Sequence, residues 1–154
     1  MSDRLRKQIN IERGQLRRLL EVHRPLIHRC AIQEPDAIET SALAAMLHSF
    51  YTGVENIFKR IALECDGRLP ATEAWHRTLL VSMTQGSAGR SPVISEGLRD
   101  SLRAYMDFRH VFRQAYAMDL RWGKMSNLVA GCEDVLSRFD SEIEAFVQTL
   151  ERTT

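Results

Sequence analysis

Between residues 109 and 116 the chain carries five side chains of the types that hold anions and move protons: Arg109, His110, Arg113, Gln114 and Tyr116. Arg109 is the most informative of them. At helical pitch Leu98, Leu102, Tyr105, Phe112 and Tyr116 point within about 40° of one direction, and Arg109 falls in the same stripe. A guanidinium cannot shed its proton to escape burial, so at such a position it requires a facing carboxylate, backbone carbonyls or a bound anion. Two outcomes stay open: an ion pair inside the protein, with Glu55 or Asp107 as partner, and a cleft in which the planar fork holds a phosphate. His110 is able to exchange protons near neutral pH, or only to hydrogen-bond Arg109 or a partner loop. Gln114 donates and accepts hydrogen bonds without titrating. Tyr116, in the apolar stripe, is expected to bury its ring and leave its hydroxyl to find a partner.

Other chemistries find little in the chain. There is no G-x-x-x-x-G-K-[ST] or G-x-G-x-x-G loop, no G-x-S-x-G elbow, and the histidines (His23, His28, His48, His76, His110) form neither an H-x-x-x-H pair nor an E-x-x-H repeat. No metal and no cofactor is expected. Twenty-one Lys and Arg against 20 Asp and Glu argue against a general polyanion binder. The charge is uneven, however, with a basic stretch over residues 1–30 followed by a net acidic one from Ala31 to Asp66. Cys30, Cys65 and Cys132 are odd in number and lack C-x-x-C spacing, which fits small buried thiols in a reducing compartment. The first residues have no apolar core of a secretory signal, and the longest uncharged run, Thr40 to Val54, is too short and polar to span a bilayer, so a cytoplasmic protein without membrane segments is expected.

The elements that must position Arg109 are helical throughout. Leu5, Ile9, Leu16, Leu20 and Ile27 mark a first helix from Asp3 to Glu21 or beyond, which Pro25 should kink or end. Leu43, Leu47, Phe50, Val54, Ile57 and Ile61 alternate at spacings of four and three in a second helix, opened by a capping-box pattern at Asp36 and Glu39 and closed at Gly67. A short third helix is expected near Thr72 to Thr84, and QGSAGRSP (85–92) reads as a mobile polar connection. The fourth helix is expected from Ser95 to Ala117. The fifth runs from about Ser126 to Glu151, with Leu128, Cys132, Val135, Phe139, Ile143, Phe146 and Leu150 inward, after a break at Arg121-Trp122-Gly123. The economical arrangement is an all-α antiparallel bundle of four main helices plus a short extra one, as one domain over residues 1–154.

The segment from Phe108 to Tyr116 closely resembles the signature of HEPN domains, above all the HepT-like ribonuclease toxins, in which an arginine is followed after four residues by histidine and then, one residue on, by tyrosine. Arg109 and Tyr116 match, His110 stands for the polar residue after the arginine, and Gln114 occupies the place of the histidine. HSFYTGVENIFKRIA (48–62) and AWHRTLL (74–80) extend the likeness over about residues 40–135. The resemblance implies a HEPN-like fold, a homodimer whose cleft brings both copies' motifs to one RNA, and metal-independent cleavage. In that chemistry Arg109 would stabilise the scissile phosphate, and the motif histidine would exchange protons with the ribose 2′-hydroxyl or the leaving oxygen. It also implies a toxin–antitoxin partnership in which a minimal nucleotidyltransferase, the antitoxin, adenylylates Tyr116. Gln114 is expected to impair cleavage, with His110, about 40° away on the helix, as a replacement candidate.

The alternative is a non-catalytic HEPN module that binds RNA, a nucleotide or the transferase; a third reading is a purely structural bundle. Arg6, Arg13, Arg17 and Arg24 share one side of the first helix as a basic ridge. Arg6, Arg13 and Arg17, with Arg113, are the candidate RNA contacts, against a ridge that is solvated or paired with an acidic helix.

Overall fold

The computed structural model describes residues 2–116 and 119–152, and its helices are α1 (Ser2–Cys30), α2 (Ala37–Ile61), α3 (Trp75–Ser82), α4 (Glu96–Gln114) and α5 (Trp122–Arg152). Among the described residues there is no strand, and the expected bundle of four long helices and one short one is present. No described helix is long and apolar enough to cross a membrane.

Helix α2 is the axis of the molecule because its sequence is apolar on more than one face. Beyond the predicted stripe, Ala44, Met46, Tyr51 and Phe58 are also buried, and α1, α3, α4 and α5 all pack on it. A helix buried nearly all round gains from every neighbour, at about 1.5–3 kcal/mol for each large side chain removed from water. Its start is the expected capping box: the Asp36 side chain accepts from the Glu39 amide at 2.8 Å while Glu39 accepts from the Asp36 amide at 3.1 Å. Its far end widens into one π turn, Ala62–Asp66, stopped by Gly67 in the left-handed region at φ 78°. At Gly53 the close approach of α1 is visible, since a Cβ there would meet Leu16 Cδ2 at 2.6 Å.

Five expectations need correction. Pro25 does not end α1, which continues to Cys30 because Ile27 is buried and His28 reaches Glu133 of α5 at 2.9 Å. Helix α5 begins at Trp122, so the Arg121-Trp122-Gly123 step lies at its start instead of breaking the chain before it. The 85–92 connection is pinned: Arg90 bonds both carboxylate oxygens of Asp66 at 3.1 and 3.0 Å, the Gln85 carbonyl at 2.6 Å and the Ser82 carbonyl at 3.2 Å. Helix α4 stops at Gln114, and Tyr116 lies beyond it, 76% exposed, instead of in the buried stripe; Ala117 is outside the described residues. Cys132 is buried, but Cys30 and Cys65 are only half-buried.

Of the readings left open for the basic ridge, pairing with an acidic helix is the one observed. Arg13 is 7% exposed and donates to Asp140 at 2.8 Å and Glu144 at 2.6 Å; Arg17 pairs with Asp140 at 2.7 Å, Arg6 with Glu151 at 2.7 Å, and Arg24 approaches Glu133 at 3.8 Å. The acidic face of α5 thus neutralises the ridge, and Arg6, Arg13 and Arg17 already have carboxylate partners in place of RNA phosphates. Burial disfavours the charged form of Arg13, but the hydrogen bonds to Asp140 and Glu144 outweigh it and raise its pKa.

Arg13→Ala is expected to cost about 1–3 kcal/mol, because it removes a buried guanidinium bonded to Asp140 and Glu144 and leaves Asp140 to Arg17 alone, a loss read as a lower Tm in thermal unfolding. The hydrogen bond from Arg13 holds Glu144 below its ordinary value of 4.5, so this share of stability is present above pH 4.5 and disappears as the pH falls through the lowered folded-state value. Acid titration of stability in Arg13→Ala should lack that component.

Candidate functional site

Arg109 lies where the fourth helix crosses the second, about four turns in from the Ser95 cap that fixes the start of α4. It is 3% exposed and faces Glu55, 4% exposed, on the opposing wall. Nη2 donates to both carboxylate oxygens, at 2.9 and 3.0 Å, so of the two partners open from the sequence it is Glu55 that pairs, and not Asp107. Nη1 makes only a long contact of 3.4 Å to Thr52 Oγ1. Beneath the guanidinium lies the Tyr51 ring, 4.8 Å from Cζ, a cation–π contact worth about 0.5–2 kcal/mol. Burial, reinforced by the Glu55 charge, pushes the Tyr51 pKa up and keeps it a neutral phenol.

Glu55 also holds a second side chain. The Nδ1 atom of His76, on α3, is 2.8 Å from Glu55 Oε2 and 3.1 Å from Arg109 Nη2. An arginine N–H cannot accept, and a bare nitrogen lone pair would oppose the carboxylate. The arrangement therefore puts the proton of the neutral ring on Nδ1, donated to Glu55, and leaves Nε2 as the basic nitrogen. The ring stacks on Trp75 at 3.7 Å, and Lys59 lies 5.8 Å from the Trp75 ring.

This cluster forms part of one wall of a cleft of about 410 Å³ between α3 and the C-terminal half of α4, where His76, Arg77, Asp107, Arg109, His110 and Arg113 converge. His110 and Arg113 are exposed. Arg113 Nε donates to His48 Nε2 at 3.4 Å, which requires His48 to be neutral there; burial first, then the charges of Arg113 and Arg109, lower the His48 pKa accordingly. Gln114 and Tyr116 stand apart from this wall. Gln114 is five residues on from Arg109, about 140° round the helix, and shares the exposed direction of His110. The motif is therefore split: its arginine is turned inward and its other members outward.

His76 and Trp75 were not among the candidates from sequence. Their signal is the W-H-R run at the start of a short helix, together with a lone acid, Glu55, embedded in the apolar run of α2. A larger hollow of about 620 Å³ lies at the other end of α3, beside the Asp66–Arg90 pair, and shares none of the motif residues.

Three long helices around α2, with a short α3 closing an arginine-bearing cleft on α4, define a helical bundle of the HEPN type. The sequence family described as HepT-like protein matches residues 42–150, from within the first turns of α2 to near the end of α5, and the chain belongs to that family. No curated protein and no solved structure matches it. Helix α1 precedes the matched segment.

Breaking the buried pair from one side should be costly. Glu55→Ala is expected to lose about 3–5 kcal/mol in denaturant unfolding, because Arg109 keeps its charge in a dry site, whereas the double replacement Glu55→Met/Arg109→Met recovers most of that loss. A double-mutant cycle that returns no coupling would contradict the pairing.

Proposed function

We propose that this HepT-like chain is the toxin-side component of a toxin–antitoxin pair, of ribonuclease lineage, whose α3–α4 cleft binds RNA and whose turnover is limited by Gln114. The observation that carries the reading is the convergence of Arg77, Arg109 and Arg113 with two imidazoles on one cleft, at the segment that resembles the HEPN motif and within the residues the family matches. Arginine forks suit phosphodiester oxygens, and imidazoles suit proton exchange near neutral pH. Arg109 is held rigid by Glu55, so its more weakly committed Nη1 edge is preorganised, which favours stabilising charge that develops during reaction.

The split motif supports a homodimer. His110, Gln114 and Tyr116 face outward, next to exposed Val111 and the half-buried, stacked Phe108 and Phe112 rings. A second copy over this end of α4 would cover that apolar surface and bring two sets of motif residues to one substrate. Exposure of Tyr116 also suits it to modification by a nucleotidyltransferase antitoxin, since its hydroxyl is within reach of another protein. The charges lining the cleft include Glu73 and Asp107 as well as the arginines, so RNA binding rests on a few placed contacts and not on a broad basic field.

The chemistry is intramolecular transesterification. The ribose 2′-oxygen attacks phosphorus, the bond to the 5′-oxygen breaks, the 2′-proton passes to a base, and the departing oxygen takes a proton. Gln114 cannot supply either transfer, and loss of one such group typically costs about 10²- to 10⁴-fold.

Gln114→His should raise cleavage of a single-stranded RNA by about 10²-fold or more, and Arg109→Ala in that background should abolish the gain. Binding of the same RNA by the unaltered chain should weaken with salt at a log–log slope of about −1.5 to −2, as for two or three phosphate contacts. No cleavage by Gln114→His and no salt-dependent binding would refute the reading. Incubation with a cognate nucleotidyltransferase and ATP should add one adenylyl group to Tyr116, read by mass spectrometry; modification of Tyr116→Phe at the same yield would remove that residue from the pairing.

A further inference from the structure

We propose that His76 is the proton acceptor of this cleft, oriented by Glu55, and that the turnover left to the chain with glutamine at position 114 passes through it. The inference rests on the ribonuclease reading above and assigns a second proton-transfer position, on α3, outside the α4 motif.

Three observations converge on His76. Its Nδ1 is tied at 2.8 Å to a carboxylate that is itself buried, so the ring's tautomer and direction are fixed before substrate arrives. Its side chain is 31% exposed and lines the same cleft as Arg109, so the remaining nitrogen, Nε2, belongs to a ring that solvent and substrate reach. The Trp75 stack restricts ring rotation from one side, and Arg109 restricts it from the other. A carboxylate, an imidazole held through Nδ1 and a cation beside them form the constellation in which an imidazole accepts a proton while the cation steadies the anion produced.

His110 competes for the role, since it lines the cleft as well. It is exposed on α4, however, whereas His76 is positioned by a partner that cannot move without uncovering a buried charge. The groups that face His76 are Glu55 on α2, Arg109 on α4 and its own neighbours on the α3 side, Glu73 and Arg77; Asp107, His110 and Arg113 line the cleft beyond them.

In the step proposed, the 2′-oxygen bonds to phosphorus as its proton moves to His76 Nε2, and the phosphorus–O5′ bond breaks. The 5′-oxygen takes its proton from water, and the hydroxide left behind is neutralised by the proton that His76 returns. No external oxidant, reductant or net water is consumed, and the products are a 2′,3′-cyclic phosphate and a 5′-hydroxyl. Position 114 faces away from this wall in its own copy, so a histidine there would add the acid for the leaving oxygen from the second copy of the proposed homodimer, which is why both positions matter.

The test follows cleavage of an end-labelled single-stranded RNA by the full chain and by His76→Asn, His110→Asn and Gln114→His, with RNA affinity measured in parallel. Asparagine retains a donor for Glu55 near the place of Nδ1 and removes the titrating nitrogen. The full chain should cleave slowly, with a rate that climbs as rising pH frees the general base of its proton. His76→Asn should lose about 10²-fold or more of that rate and the climb with it, while its RNA affinity stays within about twofold. If His76→Asn does not fold, His76→Gln and the pH profile of the full chain carry the test, and a flat profile refutes the proposal. A rate that survives in His76→Asn, a pH dependence that vanishes in His110→Asn alone, or cleavage by Gln114→His with none by the full chain would each overturn the role of His76 and leave the ribonuclease reading standing. Absence of RNA binding together with absence of cleavage by Gln114→His would instead overturn both.

Discussion

The buried pair of Arg109 and Glu55 is the constraint around which the rest is arranged. Two charges in a dry helix interface are worth little to stability compared with apolar residues of the same volume, because desolvation consumes most of their attraction. What the pair supplies is position. It fixes the register of α4 against α2, it needs the Tyr51 ring beneath it and Thr52 beside it, and its carboxylate reaches across to His76 on α3. Three helices are thereby referenced to one carboxylate.

That arrangement separates the two demands that the proposed phosphate contact would make on Arg109. Rigid donors act best on charge that develops in a transition state, because they require no reorganisation at the moment of reaction. Glu55 provides rigidity while opposing the guanidinium's charge, which leaves the cleft weakly charged and makes contact geometry matter more than long-range attraction. The ridge on α1 shows the opposite use of arginine: its side chains run along the acidic face of α5 and close an interface.

Much of this was legible in the sequence. The four-and-three spacing from Leu43 to Ile61 and the Asp36–Glu39 cap fixed α2 closely, and the misplaced Arg109 marked the site because no apolar stripe tolerates a guanidinium without a partner. What remained hidden was tertiary. Periodicity assigned Tyr116 to a buried face, but α4 ends before it, and nothing in helical spacing reveals where packing stops supporting a helix. Whether the ridge was RNA-facing, solvated or paired stayed open because its acidic partners lie more than a hundred residues away in the chain. Arg90 gave no sign that it would lock a glycine-rich loop to Asp66, and His76 gained its meaning only when α3 was folded against Glu55.

The early stop of α4 has a consequence for the proposed modification of Tyr116. Tyr116 sits past the final helical turn with its ring in water, so a bulky anionic adduct there need displace no packed side chain and break no helical hydrogen bond. Attachment and removal would then leave the native state equally populated. A cell that uses this position gains a brake on the surface of a finished machine, one that is reset without a chaperone and without making the protein anew.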